Sequence, residues 1–162
     1  MTAHDGDQEA LEDRREERLR ALGTRSPRCT VAGCEETDPF ALTGVHPNIV
    51  CREHLSDTSG RSWTEEHHPP GQHNDPSTTA PIPANDHGVI NELQGLWPPD
   101  TLRNPHGSPL LRAAAWLRAW LTILRVIIER TVGRIPAALE DLDRLLTDHI
   151  GPGWWESIGW QW

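Results

Sequence analysis

Two groups of side chains in this sequence are of types that bind metals or move protons. The first is the run Glu65-Glu66-His67-His68-Pro-Pro-Gly-Gln-His73-Asn74-Asp75-Pro76, closed by Asn85-Asp86-His87, which sets another imidazole nineteen residues after the adjacent pair. Neutral imidazole is the commonest protein metal ligand and the usual general base near neutral pH. A short strand, turn and helix would bring His67 and His87 onto one metal and leave His68 beside it to activate water. The second group is Cys29-Thr-Val-Ala-Gly-Cys34 followed by Cys51-Arg-Glu-His54, of the form C-x4-C-x16-C-x2-H. Zinc takes four such ligands in a tetrahedron, and both pair spacings suit a structural site. Cys51 and His54, three apart at a helix start, share a face, while Gly33 suits a tight knuckle between Cys29 and Cys34. His46 ranks below His54 as the fourth ligand because Val45 and Pro47 place it in a loop. A closed site of this kind contributes folding energy rather than chemistry. With all three cysteines engaged, no catalytic thiol remains.

The elements that must position these residues are legible in outline. Residues 1–7 read as a disordered acidic tail, and Gln8 to Leu22 as a largely solvated helix docking through Leu11, Leu19 and Leu22, with Gly23 as its C-cap. Residues 1–24 form this first segment. Residues 25–56 form the cysteine module, whose apolar set (Val31, Phe40, Leu42, Val45, Ile49, Val50, Leu55) is small enough that a metal would have to help hold it. Residues 57–97 carry the histidines. A loop rich in proline, serine and threonine runs from Gly71 to Pro83, and Val89, Ile90 and Leu93 at helical spacing mark a helix from Asn85 to Leu96. Residues 97–108 read as another loop.

Residues 98–162 change character. Ser108-Pro109 is an N-cap followed by a first-turn proline, and apolar residues then dominate to Val132. Pro136 and Gly151 bracket a second helix bearing Ile135, Ala138, Leu139, Leu142, Leu145, Leu146 and Ile150. The short connection around Gly133 predicts an antiparallel helical hairpin. Arg118 and Arg125 near the middle of the first helix would each cost roughly 2.5–3.5 kcal/mol in a bilayer, which argues against a transmembrane span. The wide apolar circumference instead predicts a homo-oligomer or a protein partner on residues 109–162. Trp154, Trp155, Trp160 and Trp162 are expected to close the helical core, with a partner-anchoring role as the alternative.

Composition narrows the functions. The 162 residues carry 15 basic and 24 acidic side chains, a formal charge of −9, and every basic residue is arginine. Residues 1–100 hold 18 acids against 8 arginines, and residues 101–162 hold 6 against 7. An acidic front half is a poor electrostatic match for a polyanion. GC-rich coding or adaptation to high salt would each account for the lysine-free, acidic composition. Three clustered cysteines do not make a disulfide framework, and the acidic N-terminus has no apolar leader, so the cytoplasm is the expected compartment. There is no phosphate-binding glycine loop, dinucleotide fingerprint or Ser-His-Asp signature.

The string Glu65-x-His67-His68-x-x-Gly71-x-x-Asn74-Asp75-Pro76, continued by Asn85-x-His87, resembles HNH endonuclease-like proteins of bacteria and phages. The resemblance covers about residues 63–91 and sits beside the Cys3His zinc-finger-like module. It implies a β-hairpin and helix around one divalent metal, such as Mg2+, Mn2+ or Ni2+. His67 and His87 would be the ligands, and His68 the general base. The family's central asparagine position falls at Thr78, leaving Asn74 as the nearest substitute. Pro69-Pro70 removes two N–H donors from the expected hairpin. The fold expected is therefore α+β and mostly α: a zinc knuckle, a ββα-metal-like module and a C-terminal hairpin. The expected function is metal-dependent DNA cleavage, or nucleic-acid binding by a degenerate relative. The alternative is a non-enzymatic, zinc-stabilised assembly protein of a phage or mobile-element adaptor type, working through the tryptophan-rich hairpin.

Overall fold

The computed structural model describes residues 3–157 and 159. They form an α+β fold with two small antiparallel sheets and a long C-terminal helical hairpin. The chain divides into two units, residues 1–123 and 124–162.

Helix α1 (Ala3–Leu22) opens the first unit. It begins five residues earlier than expected, so residues 3–7 are helical rather than a tail. Leu22 is fully buried and Leu11 and Leu19 are half-buried, which is the docking face read from the sequence. The helix also works through arginines. Arg18 donates to the Pro39 carbonyl at 3.2 Å and to the Leu42 carbonyl at 2.5 Å. Arg14 reaches the Gly95 carbonyl at 3.1 Å and the Glu92 carboxylate at 3.2 Å, satisfying carbonyls that the end of a helix leaves open.

Strands β1 (Leu42–Val45) and β2 (Asn48–Cys51) form a hairpin in which Leu42 lies opposite Cys51. Helix α2 (Arg52–Thr58) follows without a break. Leu22, Cys29, Leu42, Ile49 and Cys51 make one buried cluster, so the cysteine module is built on the same core that receives α1.

Strands β3 (Thr64–His67) and β4 (Ala80–Pro83) form the second hairpin, with Glu65 opposite Ile82 and His67 opposite Ala80. Helix α3 (Ala84–Gln94) completes a ββα unit. Strand β4 corrects the expectation of a continuous loop from Gly71 to Pro83. Pro81 and Pro83 fall at alternate positions of an edge strand, where no N–H is required of them. The ladder runs on into Ala84, whose N–H donates to the Trp63 carbonyl at 2.8 Å. Pro69-Pro70 does not spoil the hairpin either. Strand β3 ends at His67, and Pro70 lies fully buried in the turn beyond it.

Residues 97–108 are not all loop, because Pro99–Arg103 forms a short helix, α4. Ser108 caps α5 (Pro109–Thr131) as its sequence position predicts, with its Oγ 3.4 Å from the Leu111 N–H. Trp97, Ala115 and Ala119 form a second buried cluster with Leu102 against it. A 3-10 turn (Val132–Arg134) joins α5 to α6 (Ile135–Ile150), and α7 (Trp154–Ser157) follows. Trp154 donates from Nε1 to Asp143 at 2.9 Å and meets Trp155 edge to face. Neither α6 nor α7 contains a buried residue. Trp154 and Trp155 therefore close no core, while Trp160 and Trp162 lie outside the described residues. Among the described residues no helix is long and apolar enough to cross a membrane.

Candidate metal centres

Cys29, Cys34, Cys51 and His54 converge so that their ligand atoms all lie within 4.8 Å of one another. Local geometry explains the convergence. Cys29 and Cys34 flank a turn closed by the Cys34 N–H to the Val31 carbonyl at 3.1 Å, with Gly33 at a φ of 79° that other residues rarely adopt. Cys51 ends β2 and caps α2, which places His54 in the first turn of that helix. His54 Nδ1 is 3.0 Å from Cys51 Sγ and 3.6 Å from Cys29 Sγ. Tetrahedral zinc, with bonds of about 2.3 Å to sulfur and 2.0 Å to nitrogen, spaces its ligands about 3.5–3.8 Å apart. The group can hold a metal ion such as zinc.

The electrostatics favour a cation there. Burial raises the Cys29 thiol, but N–H groups of Val31 and Cys51 and the neighbouring thiols outweigh it, and the net shift is downward. Burial drives Cys34 the other way, to about 11, with the negative charges of Cys51 and Cys29 adding to the rise. Crowded thiolates need a positive centre to coexist. His46 is exposed in the β1–β2 turn and stands outside the cluster, as ranked.

The ββα unit brings His67 and His87 together. His67 is the last residue of β3 and His87 lies in the first turn of α3, with their rings edge to face and centroids 5.2 Å apart. His67 is 3% exposed. Burial, reinforced by His87 and His68, lowers its pKa to about 4, so its ring is neutral at physiological pH. Glu65, two residues earlier on the same strand face, pairs with His87 Nδ1 through a very short contact. The Asn91 amide lies 3.3 Å from the other His87 nitrogen. His68 is half-buried, and its Nδ1 is enclosed without a hydrogen-bond partner. These residues are less tightly gathered than the cysteine group, which is the one cluster of three or more ligand atoms so close among the described residues.

The remaining motif residues hold the frame. Asn74 is 2% exposed and donates to the Pro70 carbonyl at 3.0 Å and the Thr101 carbonyl at 2.8 Å, tying the β3–β4 connection to α4. Gln94 donates to the Pro69 carbonyl at 3.1 Å. Asn85 accepts the Glu53 N–H at 3.1 Å, joining α3 to α2. Asp75 folds onto Ser77 and Thr78, whose side-chain hydrogen bonds lower its pKa to about 2. Sequence reading passed over Gly88. A Cβ there would lie 2.6 Å from the Phe40 carbonyl and 2.5 Å from Arg52 Nε, so glycine sets how closely the His87 helix approaches the cysteine module.

No protein-family model, curated protein or solved structure matches the chain.

Proposed function

We propose that this chain is an HNH-like, metal-dependent phosphodiesterase acting on DNA, with a zinc ion in the Cys29, Cys34, Cys51 and His54 group as a structural staple. The observation that carries the reading is the meeting of His67 and His87 at the junction of strand and helix, ring centroids 5.2 Å apart. A divalent ion such as Mg2+, Mn2+ or Ni2+ held by this pair would stabilise the charge developing on a scissile phosphate. His67 offers a neutral nitrogen because burial disfavours its charged form. Glu65 would hold the His87 proton on Nδ1, the usual duty of a carboxylate behind a ligating histidine, and a metal at Nε2 would take the place of the Asn91 amide that lies 3.3 Å from it. His68, next in the chain, is the base that takes the proton of the attacking water. Asn74 acts through position, anchoring the loop that follows His68. The acidic front half supplies no long-range attraction for DNA, so binding is expected to depend on the metal.

Supercoiled plasmid incubated with Mg2+, Mn2+ or Ni2+ over a range of salt concentrations tests the proposal. Nicking that disappears in His68→Ala, at unchanged zinc content, supports it. An inert wild type under every condition overturns it. Metal-dependent DNA binding without nicking would instead identify a degenerate, binding-only relative. The rival reading, an assembly protein without chemistry, draws on the exposed apolar residues of α5 and α6 and predicts neither nicking nor DNA binding.

A further inference from the structure

Helix α5 has two apolar faces, of which one is buried and the other exposed among the described residues. Ala115, Ala119 and Val126 are buried, with exposures of 0%, 2% and 3%. On the other side Leu110, Ala114, Leu117, Leu121, Leu124 and Ile128 recur at alternating steps of four and three residues. That is the heptad spacing of a coiled-coil seam, with Leu110, Leu117 and Leu124 at d positions and Ala114, Leu121 and Ile128 at a positions. Leu110 is 80% exposed, Leu121 68%, Leu117 66% and Ile128 55%. A solvated helix face has no reason to keep this period from Leu110 to Ile128. The geometry points to a second copy of this chain as the occupant, forming a parallel coiled-coil dimer through α5.

Area and charge both favour that partner. Each exposed aliphatic side chain leaves roughly 80–120 Å² of apolar surface, the area that corresponds to its transfer free energy. The five leucine and isoleucine seam residues with Trp120 beside them thus offer roughly 500–700 Å² per copy. A pair would bury roughly 1,000–1,400 Å², close to what a specific dimer needs, and the area per copy is at the upper end of what monomers usually leave exposed. The flanking positions select the orientation. Arg118 and Arg125 occupy e positions, and Trp120 and Ile127 occupy g positions. An antiparallel pair would line one edge with arginines from both copies. A parallel pair instead sets Trp120 of one copy beside Arg125 of the other, where a cation–π contact is favourable. Leucine at d with isoleucine at an a position also suits two parallel strands. A lipid surface is a poorer occupant. The next helix, α6, carries Glu140, Asp141, Asp143 and Asp148 against the single basic residue Arg144, whereas membrane-surface helices are basic.

Sedimentation of the full chain across micromolar concentrations tests the inference. The expected result is twice the chain mass for the wild type. The doubly charged variant Leu117→Glu, Leu124→Glu should give a single-chain mass with unchanged circular dichroism, since both positions are solvent-exposed in the single chain. Leu117→Cys should yield a covalent dimer on mild oxidation, because identical d positions face each other only in a parallel pair. A monomeric wild type overturns the inference, and so does association that survives in the charged variant. A dimer that Leu117→Cys fails to cross-link overturns the parallel arrangement. Capture of monomers by neutral phosphatidylcholine vesicles, without a dimer in solution, would assign the face to lipid and overturn the inference. None of these results depends on DNA cleavage.

Discussion

Cys51→Ser should strongly destabilise the cysteine module. Cys51 is 1% exposed, its N–H donates to Cys29 Sγ at 3.3 Å, and its own Sγ lies 3.0 Å from His54 Nδ1. It thus belongs to the metal group and to the buried cluster with Leu22, Leu42 and Ile49 at once. Those three aliphatic side chains contribute roughly 5–9 kcal/mol together, at about 1.5–3 kcal/mol each. A structural zinc in this group would contribute about 10–16 kcal/mol at neutral pH and would outweigh the apolar core beside it. One of four ligands is worth roughly 2.5–4 kcal/mol of that. A buried serine hydroxyl without a good partner costs about 1–3 kcal/mol more. The expected loss is therefore about 3.5–7 kcal/mol, in the range seen when a metal site is broken, and a melting temperature lower by on the order of 15 °C. Thermal melts followed by circular dichroism, with elemental analysis of the same samples, measure it. Two outcomes would refute the reasoning. One is a wild type, stripped of metal by a chelator, that melts cooperatively at its original temperature. The other is a Cys51→Ser variant that melts within about 5 °C of the wild type.

Stability should also fall with acid because of His67. Its pKa is about 4 in the folded chain against 6.5 when free, so the unfolded state takes up the proton first. That contribution is complete above pH 6.5 and is lost as the pH drops towards 4; urea midpoints across this window should fall more steeply in wild type than in His67→Gln. Asn74→Ala removes two buried hydrogen bonds to carbonyl groups and should cost about 2–4 kcal/mol, read from the urea midpoint. An unchanged midpoint with lost nicking would make Asn74 catalytic instead of a positioning residue. Gly88→Ala gains about 0.5–1 kcal/mol of helix propensity but drives a methyl against the Phe40 carbonyl, an overpacking cost of about 1–3 kcal/mol. The net effect should be destabilising, and a raised melting temperature would show that α3 can retreat freely.

The metal-ligand spacings and the helix signals were legible because they are local. Cys51 and His54 meet through the rise of one helical turn, and Ser108-Pro109 starts a helix by its own hydrogen bonding and fixed φ. Strand β4 was hidden because Pro81 and Pro83 are read as breakers, and only pairing with β3 shows that their missing N–H groups face away from the ladder. The role of Glu65 was hidden for a related reason. Its partner, His87, is twenty-two residues distant and arrives only when α3 folds back on β3.

Sequence alone determined which chemistry is available here: four ligands suited to zinc, and imidazoles suited to a second metal and a proton transfer. Tertiary structure decided which of those groups meet and in what electrostatic setting. It enclosed His67 so that its ring stays neutral, gave Glu65 to His87, and made Gly88 the contact that sets the His87 helix against the cysteine module. Ligand type and helical period are properties of a few neighbouring residues. Burial and charge pairing depend on segments brought together from a distance, and they exist only once the chain has closed on itself.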